Sequence, residues 1–149
     1  MNRILSIAQV GHPVLREPTA ELSTETLQSP EMQQFIDDLI ATMRAANGAG
    51  LAANQVYQSL RICAIEVRDN PRYPYRPNIP LTVLVNPVLT PVGDAMFENY
   101  EGCLSVPNLR GKVQRHCEID QVALLCLLLW IDAKKSLESL KKYLLLFFP

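Results

Sequence analysis

The sequence predicts an α+β fold in which a central helix packs against antiparallel sheets. Two observations carry this. Residues 29–47 repeat apolar side chains at helical spacing, whereas residues 60–67, 81–85, 88–92 and 113–119 read as strands. Turn signals such as Asn86-Pro87 and Gly93-Asp94 separate the extended pieces.

Length and composition set the frame. A chain of 149 residues, 48% hydrophobic and 19% charged, suits a folded domain with a single core and argues against disorder. A formal net charge of -1 leaves no basic footprint for nucleic acid. The four cysteines form no C-x-x-C pair, and the apolar run near Met1 is too short for a signal peptide. Free thiols in a reducing, cytoplasmic setting are therefore expected. The longest apolar run, residues 122–131, is about half of the ~20 residues a membrane-spanning helix needs.

Residues 4–20 read as a short extended lead-in and a turn. Gly11-His12-Pro13 breaks the chain, Val14-Leu15 forms a small apolar anchor, and Pro18 disfavours helix at Glu17. His12 reads as an ordinary loop histidine, with a metal ligand or base as the functional alternative. The helix of residues 29–47 has Ser29 as N-cap, Pro30 at its first position and Glu31 in its first turn. Met32, Phe35, Ile36, Leu39, Ile40 and Met43 form its apolar face, which places Asp37, Asp38, Thr42 and Arg44 elsewhere. Asn47-Gly48 is the expected stop, with glycine taking the left-handed conformation.

Gly48-Ala49-Gly50-Leu51-Ala52-Ala53-Asn54-Gln55 is small and backbone-rich. Its glycines allow another chain to approach closely, and Gln55 offers an amide donor to a carbonyl oxygen. On its own the stretch is equally a tight turn under a helix. In the strand of residues 60–67, Ile62, Ala64 and Glu66 share one face, and Cys63, Ile65 and Val67 the other. Cys63 is expected in the core. Residues 69–80 form a proline-rich surface loop carrying Tyr73 and Tyr75. Residues 81–85 form a strand stopped by Asn86-Pro87, which residues 88–92 could continue.

The strand of residues 113–119 is expected to turn His116 toward solvent. Adjacent strand residues point to opposite faces, so His116, Cys117 and Glu118 do not converge on one ion. Beyond residue 121 the character changes. Residues 122–131 are apolar without an amphipathic period, residues 132–143 could form a helix, and residues 144–148 are apolar again. The expected division is a domain of residues 1–121 and a leucine-rich tail of residues 122–149.

The chemistry centres on Glu101-Gly102-Cys103-Leu104-Ser105-Val106-Pro107. A cysteine in a glycine-flanked turn can be a metal ligand, a nucleophile or a core thiol. A nucleophile needs a histidine base, and only His12 and His116 exist.

These two stretches, with Gly11-His12-Pro13-Val14-Leu15-Arg16 ahead of them, resemble the peptide deformylase family over residues 4 to about 121. They match the first two of that family's three signature motifs. The resemblance implies an antiparallel α+β fold with the cysteine motif facing a gap. It also implies a metal-dependent hydrolase that removes the N-formyl group from the N-terminal methionine of new polypeptides. By match, Cys103 is a thiolate ligand of Fe2+ or Zn2+. The Gln55 amide and the Leu104 N–H polarise the formyl carbonyl. Gly48, Ala49, Gly50, Leu51, Glu101 and Gly102 hold the substrate, in part by strand addition. The implied partners are N-formylmethionyl peptides and nascent chains at the ribosome.

The third motif, His-Glu-x-x-His on a C-terminal helix, is absent from these residues. The family's C-terminal helix is thus expected to be missing or replaced, through a shifted reading frame or a misjudged gene end. The implied activity of the chain as written is very weak or nil. The alternative reading is a catalytically dead relative that binds peptide N-termini or a partner.

Overall fold

Residues 2–68 and 78–126 are described in a computed structural model, with side chains as far as Asp120. The chain begins as an extended strap that reaches a 3-10 turn at Pro13–Leu15. A short helix α1 (Thr24–Gln28) precedes the long helix α2 (Pro30–Ala45). Strands β1 (Gly50–Ala52), β2 (Ile62–Val67), β3 (Ile79–Pro91), β4 (Met96–Cys103), β5 (Val106–His116) and β6 (Ile119–Cys126) follow, with a 3-10 turn at Ala53–Val56 between the first two. An antiparallel sheet of order β1-β2-β3-β6 is joined by the separate β4–β5 hairpin. This is the α+β arrangement that the sequence predicts.

Helix α2 starts where its capping residues place it. The Ser29 hydroxyl accepts from the Met32 N–H at 3.2 Å, and Pro30 occupies the first turn. Ile36, Leu39, Ile40 and Met43 are buried against Ile62 and Ala64 of β2 and Val83 and Val85 of β3. The opposite sheet face buries Cys63, Ile65, Val67, Leu84 and Ile119, with Phe97 of β4 packed against them. Strand β2 is therefore covered on both sides, with the alternation read from its sequence. Arg44, near the end of α2, forks onto Glu66 of β2 at 2.6 and 2.9 Å and ties helix to sheet.

Several expectations are corrected. Asp38 and Thr42 do not lie away from the core, since their exposures are 0% and 1%. The Asp38 carboxylate accepts from the Arg3 N–H at 2.8 Å, Arg3 Nε at 3.0 Å and Gln34 Nε2 at 2.9 Å. Thr42 Oγ1 accepts from the Leu5 N–H at 2.9 Å and donates to the Asp38 carbonyl at 2.7 Å. The strap is thus hydrogen-bonded along α2 and satisfies its buried polar groups. At the helix end, Asn47, not Gly48, takes the left-handed conformation, with φ 51°. The Asn47 N–H donates to the Arg44 carbonyl and the Gly48 N–H to the Met43 carbonyl, the two bonds of a Schellman stop.

Asn86-Pro87 does not stop the third strand. It forms a bulge within β3, with Asn86 at φ 51°. The Asn86 amide closes both bonds to the Leu22 backbone at 2.9 Å, and this offsets the unusual backbone. Pairing in β3 also begins earlier, at Ile79. Strand β5 starts at Val106 rather than near residue 113, because it pairs with β4 along a whole hairpin. It ends at His116, so Cys117 and Glu118 form the turn into β6. His116 is half-buried rather than solvated, and its Nδ1 is a buried atom without a hydrogen-bond partner among the described residues. Strand β6 runs through residues 121 and 122 and pairs with β3 as far as Cys126. The expected loop at 69–77 and everything expected of 127–149 lie outside the described residues. Among the described residues, no helix is long and apolar enough to cross a membrane.

The strap gives a pH test. The hydrogen bond from the Arg3 N–H, with help from Gln34 and the Arg3 guanidinium, holds the Asp38 carboxyl below its ordinary 3.8 despite burial. A depressed folded value means that ionised Asp38 stabilises the fold above about pH 4. That contribution is lost as pH falls through the lower folded value. Asp38→Asn is expected to be less stable than the parent at pH 7, with the gap closing below about pH 4. Urea titrations at pH 7 and pH 3 measure it, and a gap that stays constant contradicts it.

Candidate active site

Four segments meet at a cavity of about 320 Å³. The strap and its turn bring Val10, Gly11, His12 and Arg16; the first motif brings Gly50, Leu51, Ala52, Asn54 and Gln55; the second brings Cys103, Ser105 and Val106. Cys63, Ala64 and Ile65 of β2 also line it. The strap is bonded to both motifs, since the Ala8 N–H donates to the Gln55 carbonyl and the Val10 N–H to the Ser105 carbonyl, each at 2.8 Å.

Gln55 is the organised polar group of this cavity. Its Oε1 accepts from the Ala52 N–H at 3.0 Å, which fixes the amide orientation, because that N–H must face an oxygen. Its Nε2 therefore points the other way, donating to Ser105 Oγ at 3.0 Å and to Cys103 Sγ at 3.5 Å. Ser105 is 3% exposed. It braces Gln55, a role that sequence reasoning missed although the residue stands inside the quoted motif. The signal that could have found it is a hydroxyl two residues after the cysteine, on the inward side of a tight hairpin end.

Strand β1 is at the edge of its sheet. The Glu66 N–H donates to the Ala49 carbonyl, so residues 49 and 51 face β2. By the two-residue period, the backbone groups of Gly50 face away from β2. Gly48 and Ala49 do not line the cavity. Gly48 instead supports it, because a Cβ there would meet Leu104 Cδ1 at 2.7 Å and the Met43 carbonyl at 3.3 Å. The Leu104 side chain packs into the space left by the missing one, locking the two motifs together. Gly48→Ala is expected to cost about 1–3 kcal/mol by overpacking. Pairing it with Leu104→Ala should recover part of that in a double-mutant cycle. Strict additivity in denaturant titrations contradicts the contact.

Glu101 and Gly102 do not line the cavity either. Glu101 takes a two-pronged pair from Arg115 at 3.0 and 2.7 Å across the hairpin. This pairing also raises Arg115 above its ordinary value. Gly102 pairs with Arg110 in the ladder, and a Cβ there would find ordinary contacts at 3.6 Å. The two cavity thiols differ. Burial pushes Cys63 up to about 12, which leaves it an inert wall residue, while Cys103 is exposed.

The family resemblance implies an ion held by Cys103 and two histidines. Among the described residues, no group of three His, Cys, Asp or Glu side chains could hold a metal ion. His12 lines the cavity, but its Nδ1 caps the 3-10 turn by accepting the Val14 N–H at 3.3 Å, and its ring meets Tyr57 edge-on at 4.9 Å. His116, at the far end of β5, does not line the cavity. Among the described residues, the donor set at the cavity is one cysteine sulfur, which does not fit a three-ligand site.

Comparison with known proteins supports the likeness. The profile of the family described as Polypeptide deformylase matches residues 4–125. The chain is 44% identical over 117 residues to Peptide deformylase 2 of a Nostoc species, covering 78% of this chain and 64% of that protein. It is 41% identical over 116 residues to Peptide deformylase 1 of Nitrosomonas europaea, covering 78% and 65%. The chain thus spans less than two thirds of these relatives' lengths. A crystal structure of class I type b peptide deformylase from Acinetobacter baumannii, bound to Met-Ala-Ser, superposes with a TM-score of 0.75 at 36% identity, covering 84% of each chain. With its helix, its edge strand and its cysteine turn in the order the motifs require, this chain belongs to the peptide deformylase family.

Proposed function

We propose that these residues form the substrate-holding part of a peptide deformylase, a hydrolase acting on the N-formyl group of methionyl polypeptides. The observation that supports it most is Gln55. Its amide is oriented by Ala52, braced by Ser105 and aimed beside Cys103 at the cavity that the open edge of β1 borders. In this reading the first residues of the peptide add to β1 through the backbone of Gly50. The formyl oxygen takes hydrogen bonds from Gln55 Nε2 and the Leu104 N–H, which strengthen as charge develops on it. Gly48, Ala49 and Leu51 hold the β1 edge in place, and Glu101 and Gly102 hold the cysteine turn. The Acinetobacter baumannii relative, bound to Met-Ala-Ser, supports a short methionyl peptide as the ligand class.

Cys103 is the thiolate that an Fe2+ or Zn2+ ion would need, but the remaining ligands and a general base are not among these 149 residues in the family's form. Turnover by this chain is therefore impaired, although recognition is retained. Nascent chains in the cytoplasm are the natural source of such peptides. The test is affinity by calorimetry: formyl-Met-Ala-Ser should bind more tightly than Met-Ala-Ser, and Gln55→Ala should narrow the difference. Equal affinity for the two peptides contradicts the role given to Gln55.

A further inference from the structure

We propose that Arg16 makes this cavity select peptides carrying an acidic side chain downstream of the formylated methionine. The inference rests on the peptide-binding reading above and adds a specificity to it. Arg16 lines the same cavity as Gly50, Gln55 and Cys103. Among the described residues, no Asp or Glu lines that cavity, and Arg16 is its one permanently charged side chain.

Four other arginines of the described chain are each committed to a carboxylate: Arg3 to Asp38, Arg44 to Glu66, Arg61 to Glu21 and Arg115 to Glu101. The Arg16 side chain has no ion-pair or hydrogen-bond partner among the described residues. Its sequence neighbour Glu17 is turned to the Ser59 hydroxyl at 3.2 Å.

The backbone holds this cation at the cavity. The Arg16 N–H closes the 3-10 turn on the Pro13 carbonyl at 2.8 Å, His12 caps the other end, and Val14 is buried beneath. A planar guanidinium favours a carboxylate, which it can bind with two parallel hydrogen bonds. Arg16 is exposed, so solvent and salt screen the interaction. The expected preference is about two- to fivefold in affinity, in the range of exposed charge pairs.

The test uses formyl-Met-X-X-amide peptides with X as Asp, Ser or Lys, so that the only carboxylates are side chains. Affinities for the full chain are measured by calorimetry at low and high salt. The expected order is Asp tightest and Lys weakest, with the spread collapsing at high salt. In Arg16→Gln the spread should shrink, and in Arg16→Glu the order should reverse. Equal affinities for the three peptides in the parent, or an unchanged order in Arg16→Glu, overturn the role of Arg16 and leave the peptide site standing. Failure of every peptide to bind overturns the site reading itself, and this inference with it.

Discussion

Supplied with ferrous, nickel or zinc ions under low oxygen, the 149-residue chain is expected to deformylate formyl-Met-Ala-Ser at least about 10²–10⁴-fold below ordinary enzyme turnover. A catalytic site of this type needs three protein ligands and a positioned general base. The chain has two histidines, of which His12 is a turn cap and His116 lies away from the cavity. In the proposed reading, what remains is orientation and the hydrogen bonds that Gln55 and Leu104 would give the formyl oxygen. If residual turnover is measurable, Gln55→Ala should lower it by a further ~10²–10³-fold, the usual effect of losing an oxyanion donor. Release of the free amine is the readout. Turnover near ordinary rates contradicts the impairment proposed for this chain.

Leu39→Ala is expected to be the most damaging simple truncation, at about 2–5 kcal/mol. Leu39 is at 0% exposure in the middle of α2, within the cluster that includes Ile62, Ala64, Val83 and Val85. Its removal loses apolar burial and leaves a void that helix and sheet cannot both close. Domains of this size hold about 5–15 kcal/mol in total, so much of the margin goes. The melting temperature should fall by roughly 5–15 °C. The consequence extends to function, because α2 runs directly into Gly48 and the first motif. A shift below about 1 kcal/mol contradicts the placement of Leu39 at the centre of the packing.

What the sequence made legible follows from how local each signal is. Helix α2 was readable because its cap, its first proline and its apolar spacing all lie within residues 29–47. The burial of Asp38 was not, because its partner Arg3 is 35 residues away and satisfies a carboxylate that composition places on the surface. The bulge in β3 escaped for the same reason. Asn86-Pro87 reads locally as a stop, but Leu22, 64 residues away, accommodates Asn86 through both amide atoms. Gln55 and Cys103, which line the cavity, stand inside motifs that are legible in the sequence. The brace from Ser105 to Gln55, 50 residues apart, needed three dimensions, as did the fit of Leu104 against Gly48. Arg16 belongs locally to a turn, and only the fold sets it on the cavity.

The most direct measurement follows the chain's own nuclei during a titration with formyl-Met-Ala-Ser, using 15N-labelled protein and no added metal. The Gln55 side-chain amide, the Leu104 N–H and the Gly50 N–H are expected to shift together and saturate at one affinity. A peptide that binds while leaving those three signals in place, or that does not bind at millimolar concentration, contradicts the proposed reading.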